Sequence, residues 1–199
     1  MISTIIFDLN KTLITYENHD CDDEYLELTG LTEDGFWGPA KHHFHDYCLG
    51  KCDADEVFAR MLGEHGLSED LAPKLKELHI KTQSPVKGMP ELVEELKQKG
   101  CRLILLAGDG LELTEEKMSV FGKRELFDKE YVTSEMEVSK QEPRAYLKLL
   151  DEEGLRAEEC VFVDDLKKHC RAADQVGIFS LLFTDALTLR RQLEKLRVL

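Results

Sequence analysis

Two short stretches of this chain run from apolar residues straight into carboxylates. Ile5-Ile6-Phe7 is followed by Asp8-Leu9-Asn10-Lys11-Thr12-Leu13, and Val161-Phe162-Val163 by Asp164-Asp165. Apolar runs of that length read as buried strands, and an acid at the C-terminal tip of a strand stands where open α/β sheets do their chemistry. Such a carboxylate has two uses: it can attack phosphorus or carbon to form a covalent intermediate, or it can hold a divalent cation. Asp8 alone fits both. Three acids at one sheet edge repel one another, and Mg²⁺, which takes oxygen ligands, is the simplest neutraliser. Lys140 would face an incoming phosphate from the other side and balance its charge.

The elements that must position these groups alternate along most of the chain. Leu103–Leu106 reads as a strand, Leu113–Phe121 as a helix, Glu130–Thr133 as a strand, Pro143–Glu153 as a helix and Cys160–Val163 as a strand. A helix over Lys167–Val176, a strand over Phe179–Phe183 and a helix over Leu187–Leu196 follow. Such alternation predicts a parallel sheet covered on both faces. Between the first strand and Glu91–Lys99, the next amphipathic helix, the pattern is helical. Asp22–Leu28, Phe36–Tyr47, Asp53–His65 and Ser68–Thr82 are separated by Gly30, Gly50 and Gly66. The expected architecture is a three-layer, Rossmann-like α/β core over residues 1–15 and 86–199, with a four-helix bundle inserted over 16–85.

Composition bounds the function. The 199 residues suffice for one core and a smaller insert. A net charge of −14 and a pI near 4.9 disfavour nucleic acid and anionic membrane as partners. No stretch approaches the roughly 18 apolar residues of a membrane span, and Met1-Ile2-Ser3-Thr4 lacks the flank of a signal peptide. Cys21, Cys48, Cys52, Cys101, Cys160 and Cys170 show no paired spacing and read as reduced thiols. A cytoplasmic location is expected.

Taken together, Asp8 to Thr12, Ala107 to Gly110, Lys140 and Asp164-Asp165 resemble the four motifs of the haloacid dehalogenase superfamily, chiefly its phosphatases, in order and approximate spacing. The resemblance covers nearly the whole chain, and the inserted bundle resembles that family's helical cap. The segment Tyr131–Phe183 resembles the branch of sugar-phosphate phosphatases and epoxide hydrolase N-terminal domains. The resemblance implies that Asp8 is the nucleophile and that Asp165, helped by Asp164, completes a Mg²⁺ site with the Asp8 carboxylate and the Asn10 backbone carbonyl. It also implies that Thr12, the Ala107–Gly108 loop and Lys140 hold the phosphoryl group of a small phosphorylated metabolite.

Two positions depart from the family pattern. The family's second aspartate, its general acid and base, is Asn10 here, and an amide cannot trade a proton. Loss of such a group costs about 10²- to 10⁴-fold in rate. Asn10 is therefore compatible with a slowed enzyme, with a silent relative that binds a phosphorylated ligand or a protein, or with an aspartate replaced to trap ligand. Ala107 stands where the family places a hydroxyl, removing one hydrogen bond worth about 1.5 to 3 kcal/mol to a charged group. Asp109 would repel phosphate unless it points away. Dehalogenation of a haloacid is a third reading, against which the Asp164-Asp165 pair argues.

In the insert, Phe36-Trp37, His42, His43, Phe44, His45 and Tyr47 offer either a leaving-group pocket, with a histidine replacing the lost acid, or simply bundle core with solvated histidines. The second is favoured by their helical spacing. His42, His45, Cys48 and Cys52 have tolerable spacing for zinc without the tight pairing such sites usually show. The charges from Glu112 to Lys117 read as exposed helix surface.

Overall fold

Because β-branched and leucine-rich segments of four to six residues are too short to be helices and apolar on both faces, they pair into a single sheet. The computed structural model describes residues 2–16 and 22–199. Strand β1 (Thr4–Phe7) leads through a tight loop to β2 (Ile14–Thr15). Helices α1 (Asp22–Thr29), α2 (Glu33–Ala40), α3 (Phe44–Cys48), α4 (Ala54–Glu64) and α5 (Ala72–Lys81) follow. Next come β3 (Ser84–Pro85), α6 (Met89–Gln98), β4 (Arg102–Ala107), α7 (Leu111–Phe121), β5 (Lys129–Val132), α8 (Thr133–Met136) and α9 (Pro143–Glu153). Strand β6 (Cys160–Asp164), α10 (Lys167–Asp174), β7 (Phe179–Leu182) and α11 (Ala186–Lys195) complete the chain.

The main sheet has the order β5-β4-β1-β6-β7, with every pairing parallel. Phe7 is in register with Leu105 of β4 and Val163 of β6, so Asp8 and Asp164 emerge beside each other at one edge. Alternate residues serve the two layers. Ile5, Phe7, Leu103, Leu105, Val161 and Val163 pack with Val93 and Leu96 of α6 and with Leu189 and Leu193 of α11. Ile6, Ile104, Leu106 and Phe162 pack with Tyr146 and Leu149 of α9 and Ala173 of α10. This is the three-layer α/β architecture expected, with a helical cap above the sheet edge.

The cap has its own core of Tyr25, Phe36, Tyr47, Phe58, Met61 and neighbouring apolar residues, joined by Leu113 from α7. It enters and leaves through the antiparallel β2–β3 ribbon, which pairs Ile14 with Pro85 and Thr15 with Ser84. Tyr47 closes onto the sheet domain: its hydroxyl accepts from the Leu113 amide at 3.2 Å. A Cβ at Gly110 would lie 2.0 Å from the Tyr47 ring, so that glycine is required by close approach. Glu112 likewise accepts from the Ala54 amide at 2.9 Å.

The segment expected as one helix from Phe36 to Tyr47 is divided into α2, a 3-10 turn over Lys41–His43, and α3. Pro39 lies inside α2, where it lacks a donor, and its carbonyl accepts from the His42 ring at 2.9 Å. Helical continuity is lost there. Among the described residues no helix is long and apolar enough to cross a membrane, and the free thiols are Cys48, Cys52, Cys101, Cys160 and Cys170. Cys21 lies outside the described residues.

Candidate active site

The loop after β1 turns back sharply. Leu9 O accepts from the amides of Leu13 and Ile14 at 2.9 and 3.0 Å, with Lys11 in the left-handed region at φ 61°. The turn carries Thr12 over Asp8, and its hydroxyl donates to Asp8 Oδ2 at 3.2 Å. The Asp8 amide is fixed by Val163 O at 2.9 Å. Asp8 is buried, 3% exposed, and so is Lys140, whose Nζ donates to Asp8 Oδ1 and to Asp164 Oδ2, the latter at 2.9 Å. Lys140 comes from the loop before α9, which Tyr146 fastens by donating to Lys140 O at 2.9 Å and His169 O at 3.1 Å.

Lys140 reaches the carboxylates by passing directly over Gly108. A Cβ there would lie 2.7 Å from Lys140 Cε. Asp164 accepts from the Leu166 amide at 2.8 Å and from His169 Nδ1 at 3.0 Å. His169 is a partner that sequence reasoning missed; its place one turn into α10 on the side of the Asp164 carboxylate was the available signal. Carboxylate oxygens of Asp8, Asp164 and Asp165 all lie within 4.8 Å of one another.

One ammonium against three carboxylates leaves this cluster short of positive charge. Burial, reinforced by Asp164 and Asp165, pushes the Asp8 carboxyl up to about 7 in spite of Lys140. Burial and Asp164 also raise Asp165. Asp164 behaves oppositely: burial works against its charge, but Lys140 and His169 outweigh it and hold the carboxyl below its usual range. Lys140 is desolvated too, yet the two acids keep it firmly protonated. A crowded donor set made only of oxygens fits a hard divalent cation such as Mg²⁺.

Beside this cluster lies a second one. Asp109, fully buried, does not face a phosphate site unpaired: its Oδ2 accepts from Lys117 Nζ at 2.6 Å and Asn10 Nδ2 at 3.2 Å, and its Oδ1 from the Gly110 amide at 2.9 Å. Lys117 also donates to Asn10 Oδ1 at 2.9 Å. The expectation of exposed charge from Glu112 to Lys117 is corrected for Lys117, which is 3% exposed. The signal lay in the helix period: Leu113, Thr114, Lys117, Met118 and Phe121 are all buried on one stripe. Ala107 ends β4 fully buried and offers no hydroxyl.

A cavity of about 310 Å³ opens over Asp8, Lys140, Asp165 and Lys117, roofed by Tyr16, Trp37, Phe44, His79 and Gln83. Phe36 and Tyr47 are cap core, and Trp37 and Phe44 pack against that core while also lining the cavity. His42, His43 and His45 do not line it, which removes them as replacements for the lost acid; His45 borders a separate cleft of about 180 Å³. The imagined zinc set of His42, His45, Cys48 and Cys52 does not assemble. His42 and His43 instead group with Glu64, and the Cys48 thiol donates to Gly108 O, pushed up to about 12 by burial.

A parallel α/β sheet with a helical cap and paired acids at its C-terminal edge places the chain among capped Rossmann-like proteins. The model of the haloacid dehalogenase-like hydrolases matches residues 2–177, and the chain belongs to that family. Its fold is similar to that of a haloacid dehalogenase family enzyme from Bacteroides thetaiotaomicron in complex with magnesium and inorganic phosphate. The two share 17% identity over 93% of this chain and 96% of that one, with a TM-score of 0.74. A predicted HAD-like family hydrolase from Porphyromonas gingivalis aligns over 99% and 98% of the two chains at 17% identity and TM-score 0.76. L-2-haloacid dehalogenase from Xanthobacter autotrophicus, with chloropropionic acid covalently bound, aligns over 100% and 85% at 16% identity and TM-score 0.71.

Proposed function

We propose that this hydrolase is a Mg²⁺-dependent phosphatase of a small phosphorylated metabolite, working through an aspartyl-phosphate intermediate. The observation that carries the reading is the three-carboxylate cluster of Asp8, Asp164 and Asp165 within 4.8 Å, with Lys140 inserted among them. A dehalogenase needs no such accumulation of negative charge, whereas a metal-bound phosphate does. The magnesium complex of the Bacteroides relative supports the choice of ion. Asp8, Asp164, Asp165 and the Asn10 carbonyl would hold Mg²⁺, which supplies countercharge to the phosphoryl oxygens.

Asp8 attacks phosphorus while Thr12 and Lys140 fix its carboxylate, and Lys140 offsets charge on the transferring group. The Gly108 backbone, bare of a side chain, lets the phosphoryl group and Lys140 approach together. Asn10 orients and does not transfer protons. Engagement of both Asn10 polar atoms by Asp109 and Lys117 favours a second reading, a silent relative that binds a phosphorylated ligand or protein.

Phosphate release with Mg²⁺ from a panel of sugar and acyl phosphates decides between them. Release above that of Asp8→Asn, abolished by chelation, supports the phosphatase. Equal inertness of both proteins, with binding retained, supports the silent relative. Metal-independent halide release from 2-chloropropionate would overturn both.

A further inference from the structure

We infer that the substrate is an aryl phosphate: the phosphate monoester of a small phenolic compound. This rests on the phosphatase reading of the same site and goes on to specify its leaving group. Two unrelated features converge on it, the absence of an acid at the leaving oxygen and the character of the cavity walls.

The leaving oxygen departs on the side of Asp8 facing the cap, where Asn10 offers no proton. Although Asn10 borders the cavity, its Oδ1 accepts from Lys117 and one Nδ2 hydrogen goes to Asp109, so the amide has only its second N–H left for substrate and no acidic proton to give. An alkoxide leaving group, close to hydroxide in basicity (about 15.7 for water), would need protonation. A phenolate, with a conjugate acid near pKa 10, leaves without it. Lys117 lines the cavity and spends two of its three donors, on Asn10 and Asp109. Its remaining N–H and its charge suit an oxyanion leaving group.

The cavity walls independently suit a flat, apolar group. Trp37, Phe44, Tyr16 and Ile14 supply the walls. The Trp37 indole N–H is taken by Tyr25 Oη at 2.8 Å, so the ring offers the cavity no donor. A polyhydroxylated sugar would bury hydroxyls against these rings without partners. Two polar side chains interrupt the aromatic roof: Gln83, whose Nε2 donates to His79 O at 3.1 Å, and His79, whose ring packs against Trp37 at 5.1 Å between centroids and whose Nε2 is buried with no hydrogen-bond partner. That ring nitrogen is placed for a single polar substituent on the substrate's ring. A volume of about 310 Å³ accommodates one ring beyond the phosphate.

The steps balance without a transferred acid proton. Asp8 forms its bond to phosphorus as the phosphorus–aryl oxygen bond breaks, and the electron pair leaves on the phenolate. Water then attacks phosphorus, Asp8 departs as carboxylate, and the water's proton ends on the released dihydrogen phosphate.

Phosphate release with Mg²⁺ from phenyl, benzyl and acetyl phosphate and glucose 6-phosphate separates the two features, since each compound is aromatic or not and leaves easily or not. Phenyl phosphate should exceed glucose 6-phosphate at least 100-fold in kcat/KM, with benzyl and acetyl phosphate between. Asn10→Asp should raise benzyl phosphate and glucose 6-phosphate by about 10²- to 10⁴-fold and phenyl phosphate far less. Trp37→Ala should raise KM for the two aromatic esters more than for acetyl phosphate. Glucose 6-phosphate matching phenyl phosphate, or equal gains on all four with Asn10→Asp, overturns the inference while leaving the phosphatase. Turnover of none of the four overturns the phosphatase reading itself, and this inference with it.

Discussion

Two buried lysines stand side by side beneath the cap, and they are built to different ends. Lys140 meets Asp8 and Asp164 with Asp165 close by, one cation amid three acids. Lys117 meets Asp109 and the neutral amide of Asn10, a balanced pair. Both lysines and their directly bonded acids are at most 4% exposed. Burial is thus the same, and the charge count differs. The balanced cluster joins α7 to the loop after β1; the unbalanced one is the cluster for which Mg²⁺ is proposed. Charge count, more than burial, separates the two.

The sharpest way to break this comparison is to remove each cation in turn. Lys140→Met and Lys117→Met should each cost about 3 to 5 kcal/mol of stability, because each strands a buried carboxylate. Saturating Mg²⁺ should return much of the loss for Lys140→Met through binding to the folded state alone, and none for Lys117→Met. Urea denaturation with and without Mg²⁺ reads this directly. Equal rescue of both variants would show that the two clusters do not differ in kind.

A double-mutant cycle sharpens the description of the balanced cluster. Asp109→Leu combined with Lys117→Met removes both charges, so the double variant should lose less than the two single losses together. The expected coupling is about 2 kcal/mol, within the range of contacting pairs. Additive losses would mean that Asp109 is held mainly by the Gly110 amide and Asn10.

Two neighbouring glycines separate positioning from packing. Gly108→Ala pushes against the flexible Lys140 chain, and Gly110→Ala against the Tyr47 ring at 2.0 Å. The second should cost about 1 to 3 kcal/mol as overpacking between cap and core. The first should cost about 1 kcal/mol or less in stability while displacing Lys140, and so fall mainly on kcat. Thermal melts alongside phosphate-release kinetics distinguish the two.

The unequal visibility of the clusters in sequence has a physical origin. Asp8, Asp164 and Asp165 each follow an apolar strand, a local pattern of four or five residues, and the sheet brings them together by register alone. Lys140 has no such context: its place over Gly108 depends on a loop fastened by Tyr146, and in the sequence only charge balance and the family resemblance point to it. Lys117 is masked in the sequence by its charged neighbours Glu112, Glu115 and Glu116, although it keeps the period of Leu113, Thr114 and Phe121. A lone cation on a buried stripe implies a buried anion, and Asp109 is that anion. The break near Pro39 does have a signal in the sequence, a proline inside a helical run, which the aromatic spacing on either side of it outweighs; the His42 bond to the Pro39 carbonyl is visible only in the structure.

The cap carries an imidazole whose Nε2 is buried, and its behaviour should be the smallest of these effects and the cleanest in sign. Burial, helped by the charge of Lys117, holds the His79 imidazole well below its ordinary value of 6.5. The folded protein therefore keeps His79 neutral where the unfolded chain takes up a proton. Its contribution to stability is complete above pH 6.5 and is lost progressively as pH falls below that value. Between pH 6.5 and 5.5 the loss should be about 1 kcal/mol. His79→Phe, which suits the surrounding Trp37, Phe44 and Phe58 rings, should flatten that part of the stability profile. Asp8 and the other acids remain in the variant, so any pH dependence it keeps belongs to the carboxylate cluster, and the difference between the two profiles isolates the histidine. A profile unchanged by His79→Phe would mean that His79 finds a proton and a partner in the folded cap, and that the roof of the cavity is wetter than its aromatic walls imply.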